Sequence, residues 1–262
     1  MKKMSVCGKG GSGKSAIVTL LAKGIRDRGY RVLVVDSDES NPGLYRMLGF
    51  ERPPSPLMDL LGGKMRVEAK LAAMVAAGKS ELELELMPEK AISLEDIPSQ
   101  YLLEREGIRL VMVGKIHDSL EGCACPMGLV SREFLRKLRL DADEVALVDM
   151  EAGIEHFGRG VGLGLDSVLV VIDPSFESVI IAERVSSLAA GIEIGEVWAV
   201  LNKVTSEELA TKLTHELEKR NIAVIGSIHY DPEIFEADFE GRPVHGPRAA
   251  KDVERILDSL LL

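Results

Sequence analysis

Polar and apolar positions along this chain fall into two alternating patterns. Short runs dominated by apolar residues recur at 4–7, 31–36, 110–113, 145–149, 167–172, 197–201 and 223–228. Runs of this kind predict strands buried on both faces, a property of parallel sheets. Residues 14–28, 176–189, 206–219 and 249–261 instead carry apolar residues near helical spacing. In the first of these, Ile17, Leu20, Leu21, Ala22 and Ile25 form the stripe and Gly29 is the stop. Strand and helix alternate, so the pattern predicts βαβ units with right-handed crossovers. Residues 51–105 break the rhythm. Pro53, Pro54 and Pro56 interrupt structure, and residues 81–87 (ELELELM) alternate strictly, which predicts an exposed strand or sheet edge. No linker and no internal repeat divides the chain. Residues 1–262 are therefore predicted to form a single α/β domain: a mostly parallel central sheet flanked by helices on both faces.

Composition narrows this picture. The chain has 262 residues, enough for one substantial core, and its 46% hydrophobic residues and 25 glycines suit a protein with many strand-to-helix turns. The net charge of −10 comes with no run of Lys and Arg, so nucleic acid is not an expected partner. No stretch approaches ~18 consecutive apolar residues, so membrane insertion is not expected either. The first six residues run straight into a glycine loop and are too short for a signal peptide. A cytoplasmic protein is the expectation. There, three cysteines point to metal binding, catalysis or simple burial rather than disulfides.

The strongest chemical signal is Gly8-Lys9-Gly10-Gly11-Ser12-Gly13-Lys14-Ser15, which matches G-x-x-x-x-G-K-[ST] between a predicted strand and a predicted helix. Its glycines let backbone N–H groups curve around phosphate oxygens, and the helix N-terminus adds positive potential. ATP, ADP and Mg²⁺ are the expected ligands of this P-loop NTPase fold. Lys14 is expected at the β- and γ-phosphates and Ser15 on Mg²⁺. Asp36 and Asp149 end predicted strands, where Mg²⁺ support through water is one role and helix capping another. The Gly153 backbone is a candidate γ-phosphate sensor. Asn202-Lys203 closes a later strand, where a turn is one reading.

Gly122-Cys123-Ala124-Cys125-Pro126 is the second signal. In extended backbone, residues i and i+2 share a side, so the two thiolates can act together. Two make a poor metal site. A two-fold dimer supplies four, enough for tetrahedral Zn²⁺ or tetragonal Ni²⁺. A redox pair or two small apolar residues are the other readings. His117 is a possible further ligand or a surface-loop residue, and Cys7 is expected to be buried packing.

Residues Lys9 to Ser15 resemble the deviant Walker A motif of the MinD/ParA/nitrogenase-iron-protein class. The resemblance implies a nucleotide-dependent homodimer in which Lys9 reaches across to the partner's nucleotide; a solvated loop lysine is the alternative. It also implies that Asp38 orients the attacking water and that Asn202-Lys203 stands where the class recognises adenine through an asparagine amide, with Tyr230-Asp231-Pro232 a candidate completion of the base pocket. Residues Asp36 to Asn41, Gly122-Cys123-Ala124-Cys125-Pro126-Met127 and Asp149-Met150-Glu151-Ala152-Gly153-Ile154-Glu155-His156 extend the likeness to the CooC-type ATPases that serve nickel insertion into carbon monoxide dehydrogenase. These matches span about the first 160 residues. They imply Ni²⁺ or Zn²⁺ shared between Cys123 and Cys125 of two chains, and an apo-metalloenzyme client, carbon monoxide dehydrogenase. The second cluster cysteine of the nitrogenase iron protein is absent near Asp149, which argues against a bridging cluster of that kind. A MinD/ParA-type positioning or partitioning ATPase is the alternative function. The C-terminal segment has no Lys cluster, however, and reads as a packing helix rather than an interfacial anchor.

Overall fold

Period-two alternation along the strands divides the core in two. In β1 (Lys3–Gly8), Met4 and Val6 enter one apolar cluster while Cys7 enters the other. In β2 (Arg31–Ser37), Val32 and Val34 face the first cluster, Leu33 and Val35 the second. A strand with no polar face needs a helical layer on each side, and that is what the chain builds. The structure is a computed structural model that describes residues 2–79, 84–115, 125–158 and 160–260.

Six more strands complete the sheet: β3 (Leu103–Arg105), β4 (Ile108–Met112), β5 (Glu144–Met150), β6 (Ser167–Ile172), β7 (Glu196–Val204) and β8 (Ala223–His229). Their order is β3-β4-β2-β5-β1-β6-β7-β8. Every neighbouring pair is parallel except β3 with β4. The chain leaves β1 toward β2 on one side and fills the other side later with β6 to β8. The carboxyl end of β1 is thus a topological switch point, where open α/β sheets bind ligands.

One face of the sheet is covered by α1 (Lys14–Asp27), α2 (Leu44–Met47), α9 (Pro232–Glu240) and α10 (Pro247–Leu260). The other is covered by α3 (Leu57–Leu60), α4 (Lys64–Ala76), α5 (Cys125–Lys137), α7 (Phe176–Gly191) and α8 (Glu207–Glu218), with α6 (Glu155–Gly158) adding Phe157. Helix α10 starts two residues before the predicted span because Pro247 suits a first helical position. Its Val253, Ile256, Leu257 and Leu260 are buried against α1 and β8, so it is a packing helix. Ser175 and Ser206 cap α7 and α8, each accepting a backbone N–H three residues on. Cys7 is buried, and burial pushes its thiol up to about 12.

The strand or edge predicted at 81–87 is corrected over its described part. Residues 84–87 are not a strand, and Leu84, Leu86 and Met87 are buried. The alternation is real, but a side chain takes the place of a neighbouring strand. The carboxylate of Glu133 on α5 accepts the amides of Leu86 (2.6 Å) and Met87 (3.0 Å). Lys70 and Lys137 donate to the carbonyls of Leu86 and Met87, both at 2.7 Å. Residues 80–83 lie outside the described residues.

Candidate nucleotide and hydrolysis site

Steric necessity shapes the loop between β1 and α1. At Gly8 a Cβ would sit 2.5 Å from the carbonyl oxygen of Val171, and at Gly13, where φ is +97°, it would collide with Nδ2 of Asn202. Neither position admits a side chain. Gly13 occupies the N-cap of α1 with no side-chain cap, so the first amides of the helix stay available to an anion. The loop borders a cleft of about 480 Å³. Gly10, Gly11, Gly13, Lys14 and Ser15 line one wall, Asp38 and Asn41 a second, and Asn202, Lys203, Tyr230 and Phe235 a third.

The later strands brace the loop. Asn202 Nδ2 donates to the Ser12 carbonyl at 2.8 Å, and Lys203 Nζ donates to the Gly11 carbonyl at 2.7 Å. Lys203 holds a left-handed φ of +58°, which aims it back at the loop. Gly153 N–H donates to the Gly8 carbonyl at 3.1 Å, tying the segment after β5 to the loop instead of presenting a free donor. Asp231 caps α9 by accepting from the amide of Glu233. It also takes the amides of Arg248 and Ala249 at the start of α10. Tyr230 is partly exposed on the cleft wall beside it.

Strand register places the carboxylates. Asp36 on β2 is paired with Asp149 on β5. Asp149 Oδ2 accepts the Ser15 hydroxyl at 2.6 Å, and Asn41 Nδ2 donates to Ser15 Oγ at 2.6 Å. Asp149 is fully buried, and its Oδ1 has no hydrogen-bond partner among the described residues. Burial pushes its carboxyl up to about 7, the nearby charge of Asp36 adds to this, and the Ser15 bond and Lys14 oppose it. Burial also raises Asp36, to about 6, against the pull of Lys115. Lys115 lies 2.8 Å from Asp36 Oδ1. Asp38 Oδ1 accepts from the Ser40 amide (2.9 Å) and hydroxyl (2.6 Å), which fixes its side chain in the loop.

These groups fit Mg²⁺. A buried carboxylate oxygen without a partner stands beside a hydroxyl that follows the P-loop lysine. Among the described residues no cluster of three or more His, Cys, Asp or Glu forms a closed metal cage. Mg²⁺ is held by one or two carboxylates together with phosphates and water.

Lys9 behaves differently from the rest of the loop. Its ammonium lies 2.9 Å from Asp173 in the turn after β6, 3.0 Å from the hydroxyl of Ser175 at the N-cap of α7 and 4.0 Å from Glu177 in its first turn, all in its own chain. The hydrogen bond to Asp173 raises the ammonium above its ordinary range. Cys123 and His117 lie outside the described residues, and of Cys125 only the backbone, as the first residue of α5, is described. Lys115, Asp173 and Ser175 carry no expectation from sequence, and Asn41 enters there only as the end of the Asp36–Asn41 stretch. The signal for Lys115 and Asp173 is that each closely follows the end of a buried apolar run, as Asp36 and Asp149 end theirs.

The family model for the CobQ/CobB/MinD/ParA nucleotide-binding domain matches residues 4–244. An ATP-binding protein of Methanocaldococcus jannaschii is 42% identical over 97% of this chain and 99% of its own length. The carbon monoxide dehydrogenase accessory protein CooC of Rhodospirillum rubrum is 32% identical over 91% of this chain and 88% of its own. Among solved structures, the septum site-determining protein MinD of Pyrococcus horikoshii, complexed with Mg-ADP, superposes with a TM-score of 0.69. It is 16% identical and covers 99% of this chain and 95% of that one, which is likeness of fold.

Proposed function

This chain belongs to the CobQ/CobB/MinD/ParA nucleotide-binding family and is an ATPase, and from that premise we propose that it works as a homodimer that assists nickel insertion into a metalloenzyme. Carbon monoxide dehydrogenase is the client this reading names. One observation carries it: the 32% identity, over most of both chains, to a protein named as an accessory of that enzyme. The Cys123-Ala124-Cys125 triplet supports it, because two closely spaced thiols per chain make four in a two-fold dimer, and Cys125 opens α5. Met127 in its first turn packs beside Gly114, just beyond β4 at the carboxyl edge of the sheet.

In this reading Ser15 and Asp149 hold Mg²⁺, and Asp36 supports it through water. Bound there, the ion neutralises charge on the β- and γ-phosphates during transfer to water. Lys14 draws on the same phosphates, and the uncapped amides of α1 cradle them. Asp38, held by Ser40, orients the attacking water. Asn202 and the wall around Tyr230 receive the base. Lys9 leaves Asp173 and Ser175 when two chains close, and each Lys9 then reaches the nucleotide of the other chain. Closure brings four thiolates together, two from each Cys123 and Cys125 pair, to take Ni²⁺ or Zn²⁺ as cargo. Hydrolysis opens the dimer and releases the metal. The positioning alternative needs a membrane or DNA surface, and the apolar side of α10 is already spent inside the core.

Equilibrium dialysis against Ni²⁺ and Zn²⁺ tests this, with the dimer fraction read on the same samples. Wild type is compared with a Cys123→Ala, Cys125→Ala double variant, each with ADP and with a non-hydrolysable ATP analogue. One metal per dimer, lost in the variant and altered by nucleotide, is the expected result. Metal binding indifferent to both cysteines overturns the metal-handling role and leaves the ATPase standing.

A further inference from the structure

Lys115 follows the apolar run of β4, two residues after Val113 donates its amide to the Asp36 carbonyl at 2.9 Å. Its side chain is 8% exposed and that of Asp36 6%, so this ion pair is sealed from solvent. The ammonium lies 2.8 Å from Asp36 Oδ1 and also donates to the backbone carbonyl of Asp38. One cation therefore grips both ends of the Asp36-Ser37-Asp38 loop. The middle residue is held separately, by Ser37 Oγ at 2.8 Å from Ser131 Oγ on α5. A buried ammonium is costly unless it is well paired, and a lysine delivers it as a point charge with three donors rather than as a planar fork.

We propose that Lys115 is a positioning residue of the ATPase, a resident cation that holds the Asp36–Asp38 loop in place and that Mg²⁺ must work against when it enters beside Asp36 and Asp149. This rests on the magnesium reading of Ser15, Asp36 and Asp149. Asp36 and Asp149 are register partners on adjacent strands, so a divalent ion supported by both meets the Lys115 charge through the shared carboxylate. Removing that charge eases entry of the ion. It also frees the backbone of Asp38, the residue that orients water, so tighter Mg²⁺ binding comes with slower turnover. A pair that only stabilised the fold would not move these two readouts in opposite directions.

The experiment is a Mg²⁺ titration of wild type, Lys115→Met and Lys115→Gln at pH 8.5, above the values of about 6 and about 7 to which Asp36 and Asp149 are raised in wild type, and again one unit higher, because losing the pull of Lys115 raises Asp36 further in the variants. Mg²⁺ affinity is read from the fluorescence of a bound N-methylanthraniloyl-ADP, and kcat from phosphate release at saturating ATP. The glutamine variant keeps a donor for the Asp38 carbonyl in case the methionine variant folds poorly. The expected result is a half-saturating Mg²⁺ concentration about tenfold lower, as expected when a like charge on the same carboxylate is removed. In Lys115→Met, kcat falls by about 10–100-fold, the scale of a small misplacement of a reacting group. Lys115→Gln shows the same gain in Mg²⁺ affinity with the smaller loss of kcat. Mg²⁺-dependent wild type alongside variants whose half-saturation is unchanged or raised overturns this proposal alone. Wild-type turnover indifferent to Mg²⁺ overturns the magnesium reading and the proposal together.

Discussion

Asp36 and Asp149 stand opposite one another on adjacent parallel strands, two buried carboxyls in register beneath the phosphate loop. Each is raised, to about 6 and about 7, chiefly by burial. A carboxyl raised above its unfolded value contributes stability that is complete below the unfolded pKa of about 4 and is lost as pH rises through the folded value. The nucleotide-free protein should therefore lose stability between about pH 4 and pH 7 from these two groups. Asp149→Asn should melt higher than wild type at pH 8, at about 2–4 °C for each kcal/mol gained. It should have almost no ATPase activity. Differential scanning calorimetry across pH checks the first statement, and phosphate release the second. A lower Tm at pH 8 in the variant would contradict the account.

The same values set the pH response of turnover. If Asp149 holds Mg²⁺, as proposed, its protonated form cannot, and activity at limiting Mg²⁺ should fall as pH drops through about 7. Raising Mg²⁺ should move the midpoint of that fall to lower pH, because the bound cation favours the ionised carboxylate. A midpoint that ignores Mg²⁺ would separate the titration from the metal site.

Lys9 is paired within its own chain, 2.9 Å from Asp173. If its catalytic work is done in the partner's site, Lys9→Ala should bind ATP within a few-fold of wild type. Its kcat should fall by about 10³-fold or more, the scale of an arginine finger supplied in trans. Mixing Lys9→Ala with a nucleotide-binding-deficient Lys14→Ala chain sharpens the test. Activity should return in part, since the mixed dimer has one intact site facing one intact Lys9. Normal turnover by Lys9→Ala alone would remove the dimeric mechanism.

The buried Glu133–Lys137 pair on α5 carries a stability prediction. Glu133 accepts two amides and Lys137 donates to a carbonyl, so the pair anchors residues 86 and 87. Glu133→Ala leaves an unpaired buried ammonium and two orphaned amides, and should cost about 3–5 kcal/mol in urea unfolding. ATP affinity at temperatures below the transition should change little, because this pair lies outside the nucleotide cleft. A loss below 1 kcal/mol would show that the segment finds other partners.

The sequence made the nucleotide half of this site legible for a physical reason. Phosphate binding needs glycines at fixed spacing, and strand-end aspartates interrupt long apolar runs, so Gly8 to Ser15, Asp36 and Asp149 all leave local marks. Asp173 leaves only its place just past a buried apolar run, Asn41 only the end of the Asp36–Asn41 stretch, and Ser175 no mark at all. Their contacts with Ser15 and Lys9 span from 26 to 166 residues and depend on strand order. Helix α4 was missed because only Val67 is fully buried on it while Met65 is 86% exposed, so no apolar stripe marks its period. Residues 84–87 misled because period two reports which side chains go inward, not what satisfies the backbone. Here a carboxylate on α5 does so.

Asp231 holds two helices with one carboxylate: Oδ1 accepts from the start of α9, and Oδ2 takes two amides at the start of α10. The wall of the cleft and the last helix of the chain therefore share a single hinge pin. A nucleotide that presses on Tyr230 should be felt as slowed amide exchange at Arg248 and Ala249, so the far end of the chain becomes a reporter for occupancy of its beginning.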